Sequence, residues 1–404
     1  MAKSKVARRT SANANLRGVA NLAYWTAVQA GVPSVALGSP GMGKTQSMYA
    51  FAKATNRRLY VFIPSTRDPT DICGCPFPSE VSIPGVNGDR NIAVTRIGSP
   101  EWAVQFLNGD DWIIYLDELT TAMLIMQSAM LRVIAERVVG EIQLPANTWI
   151  AGAANRPETT PGAIPLSSPM SNRLYHHNWA TDRRVVIDGF AAGLRFSAPR
   201  FTPLPADWQN GIPEVAAMIA AFHQYIPNML DAEPTEADGQ SKPWPSQRTW
   251  ELSVRALAAA QSFGAGRLVE HELLAGLVGK AASNEYFTWL DNLDLPDPEQ
   301  TLQRAMADVE AGRRSKPWMQ LRPDQVIALI GRVTQLVAAE PTAPRWYGAM
   351  YLVDLISEDQ KNLALGVVRA LVDMAAPDGL MAGRVSIPDA FVERIYPYIQ
   401  RIAR

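Results

Sequence analysis

One octapeptide limits the folds open to this chain more than anything else in its 404 residues. Gly38-Ser39-Pro40-Gly41-Met42-Gly43-Lys44-Thr45 fits G-x-x-x-x-G-K-[ST] at every fixed position. It follows a short apolar run, Ser34 to Leu37, and precedes a helix-forming stretch, Lys44 to Ala54. Strand, glycine turn and helix in that order make a cradle for phosphates. Glycines let backbone N–H groups turn inward around anionic oxygens, and the following helix adds its positive N-terminal end. Lys44 supplies a mobile cation for β and γ oxygens, and the Thr45 hydroxyl suits Mg2+. A chance glycine turn has no reason to keep all these positions inside a strand–loop–helix frame. The expected cofactors are ATP and Mg2+.

Further along, the apolar run Trp112 to Leu116 ends in Asp117-Glu118. Parallel sheets place their working residues at strand C-terminal ends. Asp117 is expected to hold Mg2+ partly through water, and Glu118 to orient and deprotonate the attacking water. Two adjacent carboxylates at the end of a buried strand are costly unless a cation awaits them. The competing reading is a solvated pair that caps the next helix. A third apolar run, Trp149 to Ala154, ends in Asn155-Arg156-Pro157. Asn155 is expected to hold the lytic water or the γ-phosphate, with a turn asparagine as the alternative. Arg173, in Ser171-Asn172-Arg173-Leu174, is expected near the sheet's C-terminal edge as an arginine finger for a neighbouring subunit. Arg248, at the start of a helix in Trp244-Pro245-Ser246-Gln247-Arg248, is expected to face back toward the nucleotide. Their alternatives are a surface ion pair and a helix cap.

Strands and helices alternate up to about residue 180, which predicts an α/β fold with a parallel sheet. Beyond that, apolar residues recur with helical spacing at Val215, Met218, Ile219 and Phe222, at Trp250, Val254 and Leu257, and at Val326, Leu329, Ile330 and Val333. The expected divisions are a basic tail over 1–14, an α/β domain over 15–180, a helical domain over 181–297 and a further helical region over 298–404. Within 64–100, rich in Pro, Gly and Asp, Ile92 to Ile97 alternates like a short strand. Val138 to Gln143 reads as one arm of a hairpin. Trp346, Tyr347, Tyr351, Phe391, Tyr396 and Tyr398 make the last region aromatic. Core packing is the plain reading there, and a client or ring contact the sharper one.

Composition narrows the function classes. A hydrophobic fraction of 47% with 19% charged residues is globular, and a net charge of −1 gives no field to recruit nucleic acid. No apolar run is long enough to span a membrane. The N-terminal seventeen residues carry Lys3, Lys5, Arg8, Arg9 and Arg17, with no apolar stretch behind them to make a signal peptide. Two cysteines, Cys73 and Cys75, are too few for a disulfide framework, which fits a reducing cytoplasm.

With these motifs in order, the chain resembles the AAA+ superfamily, and within it the MoxR-type branch. GSPGMGKT stands as Walker A, WIIYLDEL as Walker B, AANRP as sensor 1, SNRL as the finger region and WPSQRTWE as sensor 2. Asp68-Pro69-Thr70-Asp71-Ile72-Cys73-Gly74 and Ala135-Glu136-Arg137-Val138-Val139-Gly140 resemble two stretches particular to that branch. The likeness covers about residues 15–295. Sensor 2 departs from it, with Gln247 where the branch usually has proline. The resemblance implies an αβα nucleotide-binding domain followed by an all-α lid, and ATP hydrolysis at subunit interfaces of a homo-oligomeric ring, hexameric in size. Arg173 would act from the neighbour, and 77–100 and 138–147 would be inserted hairpins. The implied work is remodelling or maturation of a client protein, with a separate von Willebrand factor A domain protein as a possible partner. A nucleic-acid motor and an ATP-gated scaffold with little turnover are the other classes. Near neutrality speaks against the first and the full set of hydrolytic residues against the second. Neither a nucleic acid nor a membrane is an expected partner.

Overall fold

The computed structural model describes residues 21–84, 89–181, 183–194, 200–314, 321–355 and 365–387. The basic tail and Phe391, Tyr396 and Tyr398 lie outside the described residues. The chain forms two compact units. One comprises Met1–Leu204, Glu233–Ala256 and Ala265–Lys280, and the other Pro205–Ala232, Leu257–Gly264 and Ala281–Arg404.

In the first unit, β1 (Ser34–Leu37), β2 (Arg58–Phe62), β5 (Trp112–Leu116), β8 (Trp149–Ala154) and β9 (Tyr175–Asn178) form one sheet in the order β2-β5-β8-β1-β9. Every neighbouring pair is parallel. A parallel sheet is covered on both faces, so its central strands must be apolar throughout. All five residues of β5 are buried, as are Ile150 to Ala154 of β8. Alternation sends Ile114 and Leu116 to one face, against Met126, Met130, Val133 and Ile134 of the Leu124–Glu136 helix. The other face is covered by the Lys44–Ala54 helix and by a helix through 21–29, whose Trp25 stacks on Phe51 at a centroid distance of 4.3 Å. The small residues of β8 have a steric cause: a Cβ on Gly152 would come within 2.6 Å of the Leu116 carbonyl. The Arg267–Val278 helix packs on β9 through Gly276, where any Cβ would strike the Tyr175 ring.

Two hairpins complete this unit. β3 (Cys75–Ile83) and β4 (Arg90–Gly98) pair with each other along nine positions. Phe77, Ile83, Ile92 and Ile97 are exposed on them. The short strand expected at 92–97 lies within the longer β4, and its pairing with β3 agrees with the hairpin that the resemblance implies over 77–100. Pro76 and Pro78 hide β3 from pattern reading, since proline weakens the case for a strand and is tolerated only where no ladder bond is needed. The stretch expected to supply one hairpin arm holds both, β6 (Val138–Val139) and β7 (Ile142–Gln143).

The second unit is helical. Ile212–Tyr225 and Pro323–Ala339 run along each other, with Gly331 so near Ala217 that a Cβ would approach its methyl to 2.8 Å. Phe222, Tyr286 and Trp289 fill the core, and the Trp289 indole donates to buried Asp324 at 3.2 Å. Trp346 is wholly buried and donates to the Leu371 carbonyl at 2.8 Å, which is the core-packing role. No described helix is long and apolar enough to cross a membrane.

Candidate active site

Parallel strands bring their C-terminal ends to one edge, and the three expected motifs leave the sheet there. β1 runs into the glycine turn, with the Gly38 N–H donating to the Ala154 carbonyl at 3.1 Å. Gly41 and Gly43 hold φ of 76° and 74°, the left-handed region that a side chain disfavours. Gly43 then caps the Lys44–Ala54 helix. The crest of the turn is pinned from β9's far end: the Trp179 indole and the Thr181 hydroxyl both donate to the Met42 carbonyl at 3.1 Å.

Lys44 is buried and folds back over the turn. Its ammonium donates to the carbonyls of Gly38 at 2.8 Å and Ser39 at 3.0 Å, and lies 3.4 Å from Asn155 Oδ1. Burial pushes its pKa down from the ordinary value, while Asp117 and Glu118 push it up. Thr45 Oγ1 donates to Asp117 Oδ2 at 2.7 Å, so the turn and the acidic strand end touch directly. Asp117 Oδ1 accepts the N–H of Glu118 at 3.0 Å. Glu118 itself has φ of 57°, rare for a residue with a side chain and frequent at working sites. The left-handed step turns the chain off the strand, and the single turn Leu119–Thr121 follows.

These groups line one cleft of about 340 Å³, with Pro40 to Gln46 on one side and Asp117, Glu118 and Asn155 on the other. The residues fit a magnesium-bound triphosphate. Where Cβ atoms of Gly41 and Gly43 would stand there is open space. A cation and a helix N-terminus face that space, while a hydroxyl and a carboxylate already share a hydrogen bond where a hard metal takes oxygen ligands. Thr45 and Asp117 would hold the ion.

The two arginines are placed elsewhere. Arg173 precedes Tyr175, which pairs with Ser34 at the start of β1, so it stands at the N-terminal edge of the sheet. This corrects the expectation of the C-terminal edge: in a parallel sheet the residue before a strand lies a full strand length from the residue after its neighbour. Arg173 Nη1 donates to the Pro169 carbonyl at 2.7 Å. Arg248 shares that region. Ser246 Oγ donates to Asn172 Oδ1 at 2.8 Å, which docks the Trp244–Thr249 segment beside Arg173. Burial, then the like charge of Arg248, push the Arg173 guanidinium down, against the pull of Glu136. Neither Arg173 nor Arg248 lines the cleft of its own chain.

Sequence reading missed several supports. Thr120, wholly buried, bonds both backbone groups of Asn155. Tyr115, two residues before Asp117 on the same strand, is buried, and burial raises its pKa well above the usual tyrosine value. Trp179 and Thr181 steady the loop. Only their nearness to motifs signals them, because their work depends on tertiary contacts.

The sequence matches no protein-family model and no curated protein. Among solved structures, a candidate ATPase of Cytophaga hutchinsonii is similar at 15% identity and a TM-score of 0.36, over 70% of this chain and 88% of that one. A full-length MCM homolog of Methanopyrus kandleri aligns at 15% identity and a TM-score of 0.29, over 67% of this chain and 53% of its own. NtrX of Brucella abortus aligns at 13% identity and a TM-score of 0.21, over 90% and 73%. Likenesses this loose carry no weight for the site. The chain's own strand order, register and cleft do.

Proposed function

We propose that this chain is a Mg2+-dependent ATPase of the AAA+ superfamily and MoxR type, working as a ring of six to remodel or mature a client protein. The observation that carries the ATPase reading is the convergence of Lys44, Thr45, Asp117, Glu118 and Asn155 on one cleft, closed by the 2.7 Å contact from Thr45 to Asp117. In this reading the backbone of the turn and Lys44 hold the β and γ phosphates. Thr45 and Asp117 would hold Mg2+, which would supply charge neutralisation there. Asn155 orients the attacking water, and Glu118 accepts its proton as the bond from the γ phosphorus to the bridging oxygen breaks. The products are ADP and phosphate.

The position of the arginines supports assembly. A finger offsets transition-state charge and is worth about 10³ to 10⁵ in rate. Arg173 and Arg248 sit together on the edge opposite their own cleft, so they serve a cleft only by meeting that of a second copy. Ring closure is the symmetric way to repeat such a head-to-tail contact. The resemblance supports a protein client, with a separate von Willebrand factor A domain protein as a partner.

Glu118→Gln tests the reading. The variant should bind ATP but lose turnover by about 10²- to 10⁴-fold, the usual contribution of a general base. It should also accumulate as a ring holding its client in a pull-down from the native host. Recovery of monomer alone, with turnover unchanged, contradicts the proposal.

A further inference from the structure

Thr120 stands two residues past Glu118, in the turn Leu119–Thr121, with no exposed surface. Its hydroxyl donates to the Asn155 carbonyl at 2.9 Å and accepts from the Asn155 N–H at 3.0 Å. The last backbone pair between β5 and β8 is Leu116 with Gly152. Beyond it Glu118 turns left-handed and the main chains part. A side chain thus takes over from the ladder, between the two segments that carry Glu118 and Asn155. The turn is fixed on its other side as well. Ile164 N–H donates to the Thr120 carbonyl at 2.7 Å, and Thr121 Oγ1 to the Glu118 carbonyl at 2.7 Å. Asn155 Oδ1 in turn lies 3.4 Å from Lys44 Nζ.

Packing does not call for a hydroxyl here. Valine has nearly the same shape and would fill the same space, but it would leave both backbone groups of Asn155 without their partner. Other parts of the molecule offer less. The exposed apolar residues of the β3–β4 hairpin have nothing on them to say what covers them. The hollow near Trp289 and Arg322 in the helical unit holds an arginine already paired with Asp324.

We propose that Thr120 is a positioning residue: its hydroxyl locks Asn155 to the Glu118 turn, so that the Asn155 amide and the Glu118 carboxylate address the same water. The proposal rests on the ATPase reading above. It predicts that Thr120 acts on turnover and not on nucleotide affinity, because no atom of it lines the cleft.

The test compares Thr120→Val, Thr120→Ser and Thr120→Ala in the full chain, by steady-state hydrolysis, equilibrium Mg-ATP binding and thermal midpoint. Thr120→Val should lower kcat about 10- to 100-fold, the scale of a misplaced catalytic group, with affinity within about twofold. Thr120→Ser keeps the hydroxyl and should restore most of kcat. In an Asn155→Ala background Thr120→Val should cost little further, since what it positions is gone. If the valine variant does not fold, Thr120→Ala, which leaves room for a water, should show the same split. Wild-type kcat in the valine or alanine variant, an equal loss in the serine variant, or affinity falling as far as kcat overturns the proposal. A wild-type chain that neither binds nor hydrolyses ATP removes the ATPase reading and this inference together. An active wild type with an equally active Thr120→Val removes this inference alone.

Discussion

At the scale of single residues, the cleft is made by groups held in conformations their neighbours must impose. Gly43 is the clearest case. Its φ of 74° costs a residue with a Cβ about 1–2 kcal/mol, while the space around it is open. Gly43→Ala should therefore lower stability by about that amount, without a steric clash, and weaken ATP binding because the loop relaxes. Chemical denaturation beside a binding titration checks both, and an unchanged pair of values would mean the loop tolerates the side chain. Glu118 shows the same strain in a residue that cannot avoid it. Its left-handed backbone is accepted because the Asp117 carboxylate takes its N–H and Thr121 holds its carbonyl. The octapeptide and the Asp117-Glu118 pair were legible because each type at each position has one dominant physical use. Thr120 was not: a threonine after an acidic pair reads as the start of a helix, and only the fold brings Asn155 to its hydroxyl.

At the scale of elements, legibility followed burial. β1, β5 and β8 read as strands because a central parallel strand must be apolar on both faces. β3 did not, being exposed along most of its length and broken by two prolines. Arg173 was placed at the wrong edge because its motif gives no direction to the strand after it. That strand, β9, carries a consequence for pH. His176 and His177 are buried, and burial lowers their pKa values from 6.5 to about 4 and about 3. His176 also meets Ser171, and His177 meets Asn21. Below pH 6.5 the unfolded chain binds protons that the native one refuses. Stability present above 6.5 is then lost as pH falls toward the folded values, by about 1.4 kcal/mol per pH unit for each histidine. The thermal midpoint should drop steeply between pH 6.5 and 4, and less so in His177→Gln. A midpoint flat across that range would show that the histidines are not held neutral.

At the scale of the whole molecule, the separation of cleft and arginines is the feature with most to say about assembly. If each cleft takes its arginine from a neighbour, Glu118→Gln and Arg173→Ala chains should each be nearly inactive alone and recover turnover when mixed. An intact Glu118 from one then meets an intact Arg173 from the other. Failure to recover would place both groups' work in one chain and remove the ring. All of this depends on the cleft holding Mg-ATP through Lys44 and its neighbours. Calorimetric titration of Mg-ATP into the wild-type chain and Lys44→Ala tests that claim directly. Removing one desolvated, charge-assisted contact of about 1.5–3 kcal/mol should weaken binding roughly 10- to 150-fold. Equal affinity in the two proteins would contradict it.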